Sequence, residues 1–184
     1  GAAAPSGSGR RGRRGRRGRR AARPRRPPAA AVADYARFLA AMARGDGLGA
    51  APRREMLRPG IAIDSVQQFP TMMPGTTDDN RGIALSYGLG WDLFTAPHGA
   101  AFFKEGHDDG WNNYAVVFER PRSGLLLMSN SYNGEGLFKY LADALLGDTC
   151  LPWFWEGYVP YDRPDLRSSE ARTRHAARCT EGCR

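Results

Sequence analysis

YGLGWDLFTAPHGAAFFKEGHDDGWNNYAVVFERPRSGLLLMSNSYNGEGLFKYLADALLG occupies residues 87–147, and its pattern predicts a small antiparallel sheet closed by a helix. In the middle of it, residues 103–111 read FKEGHDDGW and pack polar and ionisable side chains densely between apolar runs. Any chemistry of this chain is therefore expected at this turn.

About four strands are expected. Every second residue of 87–93 is large and apolar, which predicts a first strand with one apolar face. Residues 101–106 and 111–119 predict two more strands, joined by Asp109-Gly110, a favoured hairpin turn. The unbroken apolar run at 125–128 predicts a fourth strand that is covered on both faces.

Two helices are expected before the sheet. Asp34 is predicted to cap the start of the first helix, and Gly45 to end it. The helix has an apolar stripe at i, i+3, i+4 and i+7, formed by Tyr35, Phe38, Leu39 and Met42. Residues 52–58 predict a short second helix with a proline in its first turn. The segment 60–81 is rich in turn-forming residues and is expected to be a long loop over the domain.

A third helix should follow Asn133-Gly134 and end at Gly147. Its apolar stripe is expected to cover the sheet and consists of Leu137, Tyr140, Leu141, Ala144 and Leu145. Residues 151–161 are too aromatic for a solvated tail and should fold back on the helix or the sheet edge. The domain is thus expected to span residues 34–161, with an α+β fold.

Residues 162–184 read as a polar tail. The three cysteines, Cys150, Cys179 and Cys183, are too few and too late in the chain to be expected to staple the core. His175, Cys179 and Cys183 recur every four residues, but three ligands on one helix without a fourth do not make a structural zinc site. We therefore predict no metal and no cofactor.

The formal charge of +8 is unevenly distributed. Residues 1–33 contain eleven arginines and no acid, whereas residues 34–161 contain ten basic and fifteen acidic residues. A nucleic-acid interaction can therefore rest on the ends of the chain alone. Residues 1–33 are predicted to be disordered, either as an arm that binds phosphates without sequence preference or as a solvated linker. No apolar run is long enough to span a membrane.

The order of these pieces resembles the C-terminal half of serine hydrolases related to class C β-lactamases and penicillin-binding proteins. The resemblance covers about residues 34–147. It rests on six weak signals in the right order, which are the helix DYARFL at 34–39, EMLRP at 55–59, YGLGW at 87–91, Lys104-x-Gly106, Gly110-Trp111, and Ser129-Asn130 before Asn133-Gly134.

In that family a Lys-Thr-Gly or His-x-Gly strand lines one wall of the active site, and Lys104-Glu105-Gly106 looks like its counterpart. The resemblance implies that Lys104 places a positive charge beside the acyl centre and that Gly106 lets the substrate backbone approach. The N–H of His107 would be one donor of the oxyanion hole. Glu105, Asp108 and Trp111 are expected to contact the substrate, an ester, an amide or a lactam. Glu105 replaces the common threonine, and a carboxylate there would repel an anionic substrate.

The nucleophile of the family lies in a Ser-x-x-Lys helix, and this sequence contains no Ser-x-x-Lys. The match Ser131-Tyr132-Asn133 to the second family motif follows the Lys-x-Gly strand instead of preceding it, and reads as an ordinary turn. The resemblance therefore implies an incomplete β-lactamase-like fold that is inactive alone, with an open sheet edge and exposed apolar surface that would pair with another chain.

Three other interpretations stay open at this stage. Lys104 and Glu105 could simply alternate across an exposed strand as a solvated pair. His107, Asp108 and Asp109 could belong to a metal site or a serine triad, although adjacent residues on a tight turn rarely converge. The domain could also be a noncatalytic interaction module, or a remnant that carries a nucleic-acid-binding arm. The sequence does not indicate a cellular location.

Overall fold

A computed structural model describes residues 31–70 and 74–182, without the side chains of 167, 169, 172 and 180–182. The helices are α1 (Val32–Arg44), α2 (Ala50–Met56), α3 (Glu135–Leu146), α4 (Trp153–Glu156) and α5 (Ser169–Gly182), with a 3-10 turn at Pro164–Arg167. The strands are β1 (Ile61–Ala62), β2 (Ser86–Tyr87), β3 (Asp92–Ala96), β4 (Gly99–Asp108), β5 (Trp111–Phe118) and β6 (Ser123–Ser129).

The six strands form one open antiparallel sheet in chain order, from β1 at one edge to β6 at the other. The prediction of an α+β fold built on an antiparallel sheet is confirmed. The turn between β4 and β5 is also as predicted, because Asp108 faces Trp111 across Asp109-Gly110 and Gly110 has a φ of +79°. The count of four strands is wrong.

The miscount has two sources. The predicted first strand, residues 87–93, is a hairpin: Tyr87 ends β2, Asp92 begins β3, and the Gly88 N–H donates to the Trp91 carbonyl at 2.9 Å. Gly90 supplies the φ of +85° that the reversal needs. The second source is β1, which lies in the segment expected to be a loop and pairs with β2.

Both faces of the sheet are buried. One face packs under α1 and the segment after α2, and its apolar side chains are Trp91, Leu93, Phe102, Ala115 and Val117 with Leu39 and Met42 of α1. The other face packs under α3, α4 and the C-terminal segment, and includes Phe94, Phe103, Tyr114, Val116, Phe118, Phe138 and Trp153. This explains why β5 is almost continuously buried, since its two faces lie in the two clusters.

The first helix begins earlier than predicted. It starts at Val32, inside the range assigned to the disordered arm, and Asp34 is not its cap: no side chain caps the helix, and Asp34 instead accepts a hydrogen bond from Arg37 at 2.6 Å. Leu39 and Met42 are buried as expected, whereas Phe38 stays half exposed and stacks on Trp91. The remaining residues of the arm, 1–30, lie outside the described part of the chain.

The third helix turns a different face to the sheet from the one predicted. Phe138 and Ala142, four residues apart, are buried in the core together with Gly136. The stripe expected to cover the sheet is exposed at its large residues, Leu137, Tyr140, Leu141 and Leu145. Apolar residues occur around most of this helix, so periodicity alone does not select the buried face.

The C-terminal part is more ordered than a polar tail. The aromatic segment folds back as predicted, with Trp153, Trp155 and Tyr158 buried against the sheet. Beyond it, α5 packs on this cluster through Ala171 and Cys179. A disulfide joins Cys179 to Cys150, so the expectation that the cysteines do not staple the core is wrong. Among residues 31–70 and 74–182, no helix is both long and apolar enough to cross a bilayer.

Candidate functional site

The predicted site residues lie on a part of β4 that extends past its neighbour. The pairing of β4 with β3 ends at Phe103, opposite Asp92. From there, residues 104–108 pair with β5 only, among the described residues. One backbone edge of β4 therefore has no partner strand among the described residues at the positions where the sequence placed the Lys-x-Gly wall.

Lys104 is held on the α1 face of this overhang. Its Nζ donates to Asp92 Oδ2 at 3.2 Å and lies 5.4 Å from the centre of the Tyr87 ring. The two charges differ in exposure, since 36% of the Lys104 side chain is accessible but only 3% of the Asp92 side chain. The ammonium group can therefore reach both a buried carboxylate and the solvent.

This difference in exposure explains the titration of the pair. Burial raises the pKa of Asp92, and the attraction of Lys104 offsets only part of that rise. Burial alone would lower the pKa of Lys104, but the negative charge of Asp92, with smaller effects of Tyr87 and Glu105, holds that pKa above its usual value. Lys104 is therefore a permanent cation at neutral pH.

Glu105 lies on the opposite face from Lys104. Its Oε1 accepts a hydrogen bond from Gln68 Nε2 at 2.9 Å, and its Oε2 accepts one from the Tyr158 hydroxyl at 3.1 Å. His107 Nδ1 lies 3.6 Å from the same Oε2. Only 6% of the Glu105 side chain is exposed. Lys104 and Glu105 thus alternate across the strand, but they are not a solvated pair.

A second buried carboxylate lies beneath Glu105. Glu156 of α4 accepts a hydrogen bond from the Tyr114 hydroxyl at 3.2 Å through Oε2, and its Oε1 has no partner among the described residues. Burial, with a further contribution from the charge of Glu105, raises the pKa of Glu156 well above its usual range. Burial also raises the pKa of both Tyr114 and Tyr158. This face is therefore a buried, hydrogen-bonded acid cluster.

The other predicted site residues are more open. The space beside Gly106 is empty, since a Cβ added there would meet no heavy atom within 4 Å. His107 is half exposed, and its ring makes an edge-to-face contact with the Phe69 ring, with the two ring centres 5.8 Å apart. Asp108 is exposed and accepts the N–H of Asp109, and Trp111 is 51% exposed. The structure brings these residues to one edge, but it does not form a closed pocket around them.

A concave region lies away from this edge. A groove of about 180 Å³ runs between α1 and β6, and Ala36, Ala40, Gly124 and Leu125 are among the residues that line it. Lys104 does not line this groove. The outer edge of β6, which borders it, has no partner strand among the described residues.

Four residues around the predicted site were not found from the sequence: Asp92, Gln68, Tyr158 and Glu156. A usable signal existed for two of them. Asp92 interrupts the apolar run around Trp91 and Leu93, and Glu156 lies within the aromatic segment. An acidic residue among large apolar residues is rarely buried without a partner. The sequence positions of Asp92 and Glu156 therefore indicate that each has a hydrogen-bond or charge partner.

Comparisons with protein-family profiles, curated proteins and solved structures found no match to this chain. The resemblance to β-lactamase-related hydrolases therefore stays a prediction from the order of the sequence motifs.

Proposed function

We propose that residues 34–161 are the C-terminal half of a β-lactamase-related serine hydrolase, which supplies one wall of an acyl-transfer site and is inactive alone. The nucleophilic serine, with its Ser-x-x-Lys lysine, would come from a segment outside this chain. The reaction would be attack of that serine on an ester, amide or lactam carbonyl, followed by hydrolysis of the acyl-enzyme.

The observation that carries the proposal is the overhang of β4 beyond β3. Residues 104–108 have one backbone edge without a partner strand among the described residues, and the substrate backbone needs such an edge to lie against the Lys-x-Gly strand. The empty space beside Gly106 would admit that backbone. The fixed cation of Lys104 stands on the same overhang.

Each residue would have a distinct role. Lys104 would stabilise negative charge near the acyl centre and help to keep a neighbouring base deprotonated, while Asp92 orients its ammonium group. The His107 N–H would donate to the oxygen on which negative charge develops in the transition state. Asp108 and Trp111 lie at the mouth of the same edge and would contact the remainder of the substrate.

The position of Glu105 changes the expected substrate range. Its carboxylate is held by Gln68 and Tyr158, and its negative charge still acts on the Lys104 ammonium. Glu105 would therefore weaken the attraction of Lys104 for a substrate carboxylate. The proposal favours neutral esters and amides over anionic lactams.

Two experiments test the proposal. The purified chain, treated with a fluorophosphonate probe, should show no labelled serine by mass spectrometry. A chimera in which the nucleophile-bearing half of a class C-type hydrolase replaces residues 1–30 should be labelled on its Ser-x-x-Lys serine and should hydrolyse p-nitrophenyl esters. Labelling of a serine in the chain alone would refute the assignment of the nucleophile.

The variant Lys104→Met in the chimera should remove most of the ester hydrolysis, whereas Lys139→Met should leave it unchanged. Lys139 is a suitable control because it pairs with Asp143 on α3, away from the overhang. A chimera that folds by circular dichroism and keeps its activity after Lys104→Met would refute the role of Lys104.

A second candidate function rests on the arginine distribution. Residues 1–33 carry eleven arginines without an acid, so they would bind the phosphates of any nucleic acid without sequence preference. Titration of a DNA duplex at several salt concentrations should give an affinity that falls steeply with salt. A variant with all eleven arginines changed to glutamine keeps the length of the arm and should lose binding. Retention of binding would refute this function.

A further inference from the structure

The disulfide between Cys150 and Cys179 lies in a small group of metal-ligating side chains. The ligand atoms of Asp148, Cys150 and Cys179 lie within 4.8 Å of one another. His175 lies one helical turn before Cys179 on α5, and its Nε2 is 3.7 Å from Cys179 Sγ. Three side chains of the types that bind zinc therefore converge from two separate segments of the chain, and His175 lies beside one of them, Cys179.

We propose that Asp148, Cys150, His175 and Cys179 form a zinc site when the two cysteines are reduced. The same two sulfurs would thus have two alternative states, a disulfide in an oxidising environment and a pair of zinc-bound thiolates in a reducing one. This set differs from the helix triad His175, Cys179 and Cys183, because Cys150 and Asp148 replace Cys183.

The distances suit tetrahedral zinc. With Zn–S near 2.3 Å and Zn–N near 2.0 to 2.1 Å, a tetrahedral site separates sulfur from nitrogen by about 3.6 Å. The observed separation of His175 Nε2 and Cys179 Sγ is 3.7 Å. The two sulfurs would move apart from their covalent bond, and their backbones are already at a Cα–Cα distance of 5.4 Å.

The surroundings already orient one of the ligands. The N–H of Cys150 donates to Asp148 Oδ1 at 3.2 Å, so Oδ2 is the carboxylate oxygen that remains for the metal. His175 Nε2 lies 3.2 Å from the Leu151 carbonyl, and its Nδ1 lies 3.1 Å from an Arg178 nitrogen. Because a carbonyl only accepts and a guanidinium only donates, Nε2 carries the proton in this state and must give up its Leu151 contact to bind zinc.

Arg178 is the cation that the metal would displace. Its Nε lies 3.4 Å from Asp148 Oδ2, and another of its nitrogens contacts His175. Arg178 therefore connects two of the four proposed ligands with a positive charge. Its side chain is 60% exposed, so it can move into solvent at small cost when zinc takes its place.

The chemistry balances in two steps. A dithiol reductant transfers two electrons and two protons to the disulfide, so that the S–S bond breaks, two cysteine thiols form, and the reductant closes its own disulfide. Zinc then binds both sulfurs as thiolates, and the two thiol protons are released to solvent. His175 would bind through Nε2 as neutral imidazole after solvent has taken the proton from Nε2 and returned one to Nδ1, which breaks the contacts with Leu151 and Arg178.

The test uses the full chain, reduced with dithiothreitol and then desalted without oxygen. Titration with Zn²⁺ against a chromophoric chelator should give a stoichiometry of about one zinc per chain and the release of about two protons. Co²⁺ in place of zinc should produce a thiolate-to-cobalt charge-transfer band. The oxidised chain should bind zinc at least about 100-fold more weakly, since it lacks both thiolates.

The variants identify the ligands. Cys150→Ser, Cys179→Ser, His175→Gln and Asp148→Asn should each weaken zinc binding by about 10-fold or more. Arg178→Ala should bind at least as tightly as the unchanged chain, because a competing cation is gone. Cys183→Ser is the matched control and should have no effect, although Cys183 lies outside the described residues.

Three results would overturn the site. They are absence of the cobalt charge-transfer band in the reduced chain, equal affinity of the oxidised and reduced chains, and a loss of affinity in Cys183→Ser as large as in Cys179→Ser. If reduction unfolds the chain, zinc should restore the helical circular dichroism, because metal binding and folding are coupled. Failure to restore it would also refute the proposal.

Discussion

Asp92 and Glu156 are both buried carboxylates, but they are compensated in different ways. Asp92 has a cation, the Lys104 ammonium, at 3.2 Å. Glu156 has one neutral donor, the Tyr114 hydroxyl, and it has the like charge of Glu105 nearby. The comparison shows that two buried carboxylates in this fold can differ in their nearest partner. Asp92 has the Lys104 ammonium and Glu156 has the Tyr114 hydroxyl, and these two side chains start from opposite faces of the sheet.

The largest expected effect comes from breaking the charged pair. Loss of one partner of a fully buried pair costs about 3–5 kcal/mol. Because 36% of the Lys104 side chain is exposed, we expect Lys104→Met to lower the free energy of unfolding by less, about 2 kcal/mol at pH 7. Urea denaturation of the unchanged chain and of Lys104→Met at pH 7 measures this difference in the free energy of unfolding.

Two further variants separate charge from packing at Lys104. Lys139→Met removes an i, i+4 pair on a helix and should cost less than about 0.5 kcal/mol. The double variant Asp92→Asn with Lys104→Met removes both charges and should be more stable than Lys104→Met alone. If it is not, the buried charge of Asp92 is not the source of the loss.

A smaller effect is expected at the other carboxylate. Tyr114→Phe removes the hydroxyl that donates to Glu156 Oε2 and leaves both carboxylate oxygens without a side-chain donor among the described residues. We expect a loss of about 1–2 kcal/mol, measured by the same denaturation. Phe should fill the same volume, so an unchanged stability would show that the hydrogen bond contributes nothing.

Local sequence signals were sufficient to predict β4, β5 and β6. They were not sufficient for the β1 edge of the sheet or for the buried face of α3. The hairpin at Asp109-Gly110 was predictable because its turn residues adjoin two apolar runs. The break in residues 87–93 was not, because a hairpin through Gly90 keeps the same alternation as a straight strand. The buried face of α3 was also missed, since Phe138 and Ala142 compete with a longer apolar stripe.

The residues of the candidate site also differ in how far apart in the sequence their partners lie. Lys104 and Gly106 could be proposed as site residues because they belong to one short motif. Asp92 lies on a neighbouring strand, and the cysteine pair is separated by 29 positions in the sequence. Such partners are brought together only by the sheet register and by the return of the C-terminal segment. Spacing along the chain does not predict them.

The smallest expected effect, and the sharpest difference between the two carboxylates, should come from Glu156→Gln. The raised pKa of Glu156 means that, above about pH 4.3, the folded chain keeps a proton that the unfolded chain releases. The free energy of unfolding therefore falls as the pH rises from about 4.3 towards the raised pKa of Glu156 in the folded chain. Glutamine does not titrate, so Glu156→Gln removes this part of the pH dependence.

At pH 5 we expect Glu156→Gln to change stability little, because the replaced group is still protonated in the fold and glutamine also accepts from Tyr114. At pH 8 the variant should be more stable than the unchanged chain, because glutamine has no proton to release on unfolding. Urea denaturation from pH 5 to 8 measures the slope, which should become smaller without vanishing, because burial raises the pKa of Asp92 as well. Asp92→Asn makes the comparison direct: it also removes an acid whose raised pKa lowers stability as the pH rises, but it leaves Lys104 without its carboxylate, so its gain at pH 8 should be smaller than that of Glu156→Gln. If the two variants instead gave the same profile, the cation near Asp92 would have no energetic role, and burial alone would account for both sites.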